Sequence, residues 1–438
     1  MEKASLKEII GWSMYDFANS AFATTILAVI FNKYFAAVVA GGEEGVNILG
    51  YQLHGAAFFT FTVSVAMAIV ALSAPVLGAI ADFSGAKKRF LAVFCYVAVI
   101  FTGLLYFIGE GDYWLGALFF IIANVSFASS NVFYNALLPE ITTDENIGKV
   151  SGWGWGLGYI GGGLLLLLNF IMLEYPKLIG FSADTFTIGH CFLSVSIWWG
   201  IFAIPLFLWV RERAEKKRLA EGQTYIRIGF GRLKKTFLEI RHFKELTKFL
   251  ISYLIYNDGI QTVIIMASIF GDEVLKMETG ELITFFLMVQ GTAFVGSLIF
   301  GYLADWLGNK KTVIISLFVW SFVVIWAFRL GIIWDAKTEY WILGVLAGMV
   351  LGGSQAASRA LMVTFTPKAN SAEFFGFFAV AGKFASIFGS LIYGVILALT
   401  GSLETGILSL IVFFVFGMFF LFLVNEKKGM EERHQVIG

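Results

Sequence analysis

Residues 78–88 read GAIADFSGAKK and residues 301–311 read GYLADWLGNKK. Gly78, Asp82, Gly85, Lys87 and Lys88 recur as Gly301, Asp305, Gly308, Lys310 and Lys311 at one constant offset of 223 residues. Taken singly, either stretch describes the end of an apolar helix, a glycine turn and two lysines. Taken together, they divide the chain into two halves that carry the same device at corresponding positions. A looser match supports the division: Pro139 and Pro367 each end an apolar stretch, at an offset of 228. Corresponding motifs in two halves of an apolar chain are a mark of transporters built from repeats, whose substrates bind near the bilayer midplane between them.

Working outward, the chain has 438 residues, of which 58% are hydrophobic, 17% aromatic and 14% charged. A soluble domain carries about 25% charged residues, so lipid is the main solvent here. With 31 basic and 31 acidic residues the formal charge is zero, which provides no global field for nucleic acid. Charge clusters cut the chain into twelve apolar spans, each long enough for a bilayer. They lie near 12–39, 54–80, 89–109, 113–138, 146–170, 188–210, 249–270, 282–303, 311–333, 340–364, 374–399 and 404–424. The first is too long for the apolar core of a signal peptide and contains Asp16 and Asn19, so it reads as a retained helix. The expected fold is an all-α integral membrane protein of twelve transmembrane helices in two six-helix bundles, residues 1–210 and 249–438, joined by 211–248.

Twelve spans place both termini on one side. That side collects 24 Lys and Arg residues and the other three, Lys177, Lys276 and Lys337. The positive-inside rule then makes both termini and the 211–248 segment cytoplasmic. Within that segment Phe230, Leu233, Phe237 and Ile240 lie at helical spacing opposite Arg232, Lys234, Lys235 and Arg241. This is the pattern of a basic amphipathic helix on the cytoplasmic leaflet, and equally that of a solvated linker.

Two cysteines, Cys95 and Cys191, sit in apolar runs, and the four histidines lack metal spacing. No Walker A, H-E-x-x-H or G-x-S-x-G sequence is present, so neither an enzyme nor a metal or cofactor is expected. Gly156, Gly158 and Gly161 match G-x-G-x-x-G without a βαβ context. The glycines four apart, Gly154, Gly158 and Gly162, instead permit close helix contact.

Charges inside a bilayer are costly and mark candidate sites. Lys33 and Arg329 sit at outer helix ends, where they can snorkel. Asp258, Arg359 and Lys383 fall at a common depth of roughly 12–15 Å, counted at 1.5 Å per residue. They form either a substrate or ion site or a structural triad joining three helices. The first half contributes Asp16, Asn19, Asn131 and Asn135, with Gln355 near Arg359 in the second. Tyr15, Tyr134, Trp153 and Trp155 could add an aromatic wall.

The repeated G-x-x-A-D-x-x-G-x-K-K loop resembles the signature of the major facilitator superfamily. Tyr15-Asp16-Phe17-Ala18-Asn19-Ser20-Ala21-Phe22, Asn257-Asp258-Gly259, Gln355 to Arg359 and Ala372-Glu373-Phe374-Phe375-Gly376 are similar to the autophagy-related vacuolar amino-acid effluxers and their bacterial relatives. Where that branch has Gly-Pro in helix 11, this chain has Gly389-Ser390. The resemblance implies a secondary carrier of an amino acid or other carboxylate-bearing solute, working as a monomer in a bacterial inner membrane. It implies that helices 1, 4, 7 and 10 line the cavity and that the two repeated motifs, Gly78 to Lys88 and Gly301 to Lys311, form a cytoplasmic gate. A coupling proton or sodium ion is left open. The rival reading is a receptor or scaffold that keeps the fold without transport.

Overall fold

A computed structural model of the chain describes residues 4–434 except Leu49, 183–184, 215–223, 240–241 and 385–386, and except the side chains at 226, 233, 236–239, 273, 279, 384 and 387. Among the described residues, twelve helices are long and apolar enough to cross a membrane. Helices 1 to 6 are Leu6–Val39, Gly55–Ser84, Lys87–Phe107, Tyr113–Ile141, Ile147–Glu174 and Ile188–Trp209. Helices 7 to 12 are Lys244–Asp272, Gly280–Leu307, Asn309–Phe328, Ala336–Phe365, Lys368–Thr400 and Leu403–Phe422. A two-stranded hairpin, Val46–Ile48 against Tyr51–Leu53, fills the loop after helix 1. Most helices run several residues past the expected spans, because polar ends continue the backbone ladder beyond the apolar stretch.

The exterior inverts that of a soluble protein. Leu72, Phe107, Leu208, Trp306 and Leu399 are among the large apolar side chains left open, as a hydrocarbon surrounding requires. Lys33 and Arg329 are exposed at helix ends, as their positions in the sequence suggest.

Packing repeats between the halves. Helix 1 lies on helix 5 and helix 3 on helices 4 and 6; in the second half helix 9 lies on helices 10 and 12. Helix 2 meets the inner segment of helix 11, Ser371–Phe384, and helix 5 meets helix 8. These contacts join the halves, together with helix 5 on helix 10 and helix 4 on the inner segment of helix 11. The outer segment of helix 11, Ile387–Thr400, packs instead on helices 7 and 12.

The glycines of helix 5 explain its central place. On one face a Cβ at Gly161 would lie 2.1 Å from the Phe17 carbonyl oxygen of helix 1, and one at Gly158 would lie 2.7 Å from Ser20 Oγ. On another face a Cβ at Gly152 would come within 2.5 Å of the Ser297 carbonyl of helix 8. Backbone-to-backbone approach on both faces excludes any side chain.

Gly161→Ala therefore forces helices 1 and 5 apart. Overpacking costs of about 1–3 kcal/mol should outweigh the roughly 1 kcal/mol that alanine adds to helix propensity. At Gly163 the nearest neighbour to a Cβ is Gln290 Cβ at 3.6 Å, so Gly163→Ala should leave stability unchanged or raised. Thermal unfolding of the two purified variants checks this; equal shifts would contradict the close-contact account.

Candidate functional site

At the face that carries the termini, each repeated motif grips the other half. Asp82, at the end of helix 2, accepts the backbone N–H groups of Ala372 (3.1 Å) and Glu373 (2.9 Å), which open helix 11. Asp305, at the end of helix 8, accepts those of Gly148 (2.7 Å) and Lys149 (2.9 Å), which open helix 5. A helix start presents unpaired donors and the positive end of its dipole, so each carboxylate is well matched to its seat. The glycines make the approach possible. A Cβ at Gly78 would lie 2.3 Å from the Ala372 carbonyl oxygen, and one at Gly301 would lie 2.8 Å from that of Gly148. Gly85 and Gly308 turn the chain with φ of 54° and 97°.

The lysines are not equivalent in the way the sequence offset pairs them. Helix 3 starts at Lys87 but helix 9 starts at Asn309, so the loop is one residue longer in the first copy. Lys88 Nζ donates to the Phe207 (3.0 Å) and Val210 (2.5 Å) carbonyls after helix 6. Its counterpart by role is Lys310, which donates to the Phe422 (3.0 Å) and Val424 (2.6 Å) carbonyls after helix 12. Lys87 is 1% exposed and lies 3.3 Å from Asp82 and 2.8 Å from Glu140. It also donates to Ser371 Oγ of the other half at 2.6 Å. In its place the second copy has Asn309, bound to Thr364 Oγ1 at 3.0 Å, and Lys311 is exposed. Glu212 caps helix 3 and Glu426 caps helix 9, and burial raises the pKa of both carboxyls. Arg433 fastens the C-terminal helix Glu426–Glu432 to Asp144 of the first half at 2.6 Å, and this hydrogen bond lowers the Asp144 pKa.

Deeper in the membrane the halves meet again. Arg359 of helix 10 pairs with Asp16 of helix 1 at 2.8 Å, their side chains 3% and 8% exposed. The guanidinium also donates to Asn135 (3.3 Å), to Ser151 Oγ (3.0 Å) and to the Ser151 carbonyl (2.7 Å). Tyr134 donates its hydroxyl to Asp16 at 2.8 Å. The rings of Trp12, Trp155 and Tyr134 lie 4.9, 5.1 and 5.7 Å from the guanidinium carbon. Burial of the guanidinium is tolerable because nearly every donor has an acceptor and the charge has both a partner and aromatic faces.

One to two turns further from the terminal face, Asn19 donates to Asn131 (2.8 Å), and Tyr159 donates to Gln355 across the halves. Lys383 lies over Phe127 of helix 4, 5.8 Å from the ring centre. The expected triad does not form around Arg359. Asp258 instead accepts the N–H groups of Phe388 (3.2 Å) and Gly389 (2.8 Å), at the start of the outer segment of helix 11. A Cβ at Gly389 would lie 2.6 Å from Asp258 Oδ1. Common depth thus did not place Asp258 among the partners of Arg359, because helix 11 presents backbone donors to it. Tyr15 is fully buried and packs behind Tyr134, ring centroids 5.0 Å apart. Trp153 lies under Lys149, while Trp155 and Tyr134 face Arg359.

Trp12, Ser151 and Tyr159 escaped the sequence reading. Trp12 lies four residues before Asp16, and Ser151 and Tyr159 lie one turn and three turns into helix 5, so helical periodicity from Asp16 and from the glycine face was the available signal.

Asp82→Asn and Asp305→Asn should differ. Asp305→Asn weakens two charge-assisted hydrogen bonds, worth about 1–3 kcal/mol. Asp82→Asn also leaves buried Lys87 with Glu140 as its one remaining carboxylate among the described residues, and should cost more than Asp305→Asn. Thermal unfolding gives the ranking, and thiol accessibility at the terminal face should rise in both. An equal loss in the two variants would remove Lys87 from the account.

A family profile described as "Vacuole effluxer Atg22 like" matches residues 4–434. The chain is 32% identical over 438 residues to the MFS-type transporter YxiO of Bacillus subtilis (strain 168), a match covering 99% of each chain. It is 23% identical over 479 residues to Autophagy-related protein 22-1 of Penicillium rubens, covering 91% of this chain and 80% of that one. The fold is that of the proton:xylose symporter XylE in complex with 6-bromo-6-deoxy-D-glucose, with a TM-score of 0.73 at 14% identity over 98% of both chains. The chain therefore belongs to the Atg22-like family of major facilitator superfamily transporters.

Proposed function

We propose that this transporter carries a small carboxylate-bearing solute, best matched by an α-amino acid, by alternating access, with the terminal face cytoplasmic. The observation that carries the reading is the Arg359–Asp16 pair, whose two members come from opposite halves. When the halves part there, each member loses its partner, and a lone charge at that depth costs several kcal/mol. A zwitterion replaces both partners at once. Its carboxylate fits the planar fork of Arg359 with two parallel hydrogen bonds, and its ammonium takes the place of the guanidinium at Asp16. A solute that binds only the separated pair shifts the population toward the separated state. Asn19, Asn131, Asn135 and Gln355 supply neutral donors and acceptors around this layer, and Lys383 adds a second cation. Asp258 acts through helix 11, as a positioning residue. The repeated motifs serve as the gate, since their contacts are those that must break for the terminal face to open. The side assignment rests on the 24 to three imbalance of Lys and Arg.

Flux into proteoliposomes tests transport itself, and binding without counterflow would support a receptor. For the site, Arg359→Lys should keep the pair with Asp16 and most of the stability, yet lose at least about tenfold in amino-acid affinity as the bidentate contact goes. Arg359→Gln should lose stability, and the double variant Asp16→Asn with Arg359→Gln should recover much of it without recovering binding. Loss of stability with no selective loss of affinity would reduce the pair to a strut. For the topology, an impermeant thiol reagent on intact cells should label Lys276→Cys and spare Lys234→Cys; the reverse would overturn the orientation.

A further inference from the structure

We propose that the helix Tyr225–Glu239, between the two halves, is a docking surface for anionic phospholipid in the leaflet on the terminal side. Its depth is fixed by what it touches. Gly229 packs so closely on helix 2 that a Cβ there would lie 2.7 Å from Ile80 and 3.2 Å from Val76. Ile80 and Val76 precede the end of helix 2 at Ser84 by about 6 and 12 Å at 1.5 Å per residue. Tyr225 packs its ring against Phe83 with centroids 6.5 Å apart. A helix that reaches this far along a spanning helix lies at headgroup height and not in bulk water.

The remaining faces suit that level. Phe230 is 59% exposed and Arg227 and Lys234 are exposed, which places an apolar ring and cations together on an open surface. Arg232 lies over Phe83 at 5.9 Å, which ties the helix to the end of helix 2. Of the apolar stripe read from the sequence, the side chains of Leu233 and Phe237, together with Ile240 and Arg241, lie outside the described residues. A lipid with an anionic phosphate supplies the countercharge for Arg227 and Lys234, while its acyl region receives Phe230. Docking also braces helix 2 at the turn that carries Asp82, so the leaflet bears on the contact between helices 2 and 11.

The test uses the full chain reconstituted in phosphatidylcholine vesicles with and without phosphatidylglycerol. Phe230→Cys is labelled with an environment-sensitive fluorophore; the native Cys95 and Cys191 are buried. Blue-shifted emission, quenched by lipid-borne nitroxide and stronger with phosphatidylglycerol, is the expected result. Each basic residue near an anionic surface contributes a factor of about five, so Arg227→Gln with Lys234→Gln should lower the docked-to-undocked ratio on the order of 25-fold. Gly231→Cys, at a position where a Cβ meets nothing within 4 Å, gives the same reading if the Phe230 variant does not fold. Water-like emission in both lipids would overturn the proposal in favour of a solvated linker. Equal quenching in both would leave apolar contact and overturn anion recognition, and reversal by soluble glycerol phosphate would overturn the assignment to lipid.

Discussion

A carboxylate seated on the free N–H groups of a helix from the opposite half closes the terminal face, and it does so twice. The arrangement has a strict geometric requirement. Helices 2 and 11, and helices 5 and 8, must approach until their backbones touch, which is why Gly78 and Gly301 lie one helical turn before Asp82 and Asp305. It also has a built-in direction, since the donors become unpaired when the halves part and must then find water. The seats of Glu212 and Glu426 on helices 3 and 9 repeat the same chemistry within each half. One physical device, a carboxylate on a helix start, thus fixes both the interior of each half and the junction between them.

The two copies are unequal where the inequality matters. Lys87 places a buried ammonium among Asp82, Glu140 and Ser371, whereas the second copy has the neutral Asn309 at the same turn. Charge therefore reinforces the contact between helices 2 and 11 more than that between helices 5 and 8, which relies on glycine packing. Among the described residues, opening that begins between helices 5 and 8 breaks no buried ion pair of that kind.

Much of this was legible in the sequence because lipid imposes simple rules. Apolar length gave twelve helices, and the repeated motif gave the halves. Arg359 and Asp16 were each singled out as charges inside spans, yet their pairing across 343 residues was not legible, since depth along a helix says nothing about the direction a side chain faces. Asp258 shows the same limit: its depth matched that of Arg359, yet it accepts backbone N–H groups of helix 11. The alignment of Lys87 with Lys310 failed for a smaller reason, a single extra loop residue before helix 3. Sequence identity preserved the letters while the turn shifted their roles by one.

Helix 5 has a mechanical consequence. Side chains that interlock like gear teeth resist sliding, whereas Gly152 meets backbone of helix 8, and Gly158 and Gly161 meet backbone and small side-chain atoms of helix 1. Surfaces of this kind behave as a plain bearing. They hold neighbours at close range yet present few barriers to a small translation or tilt along the helix axis, so one helix can remain in contact with both halves while their relative angle changes.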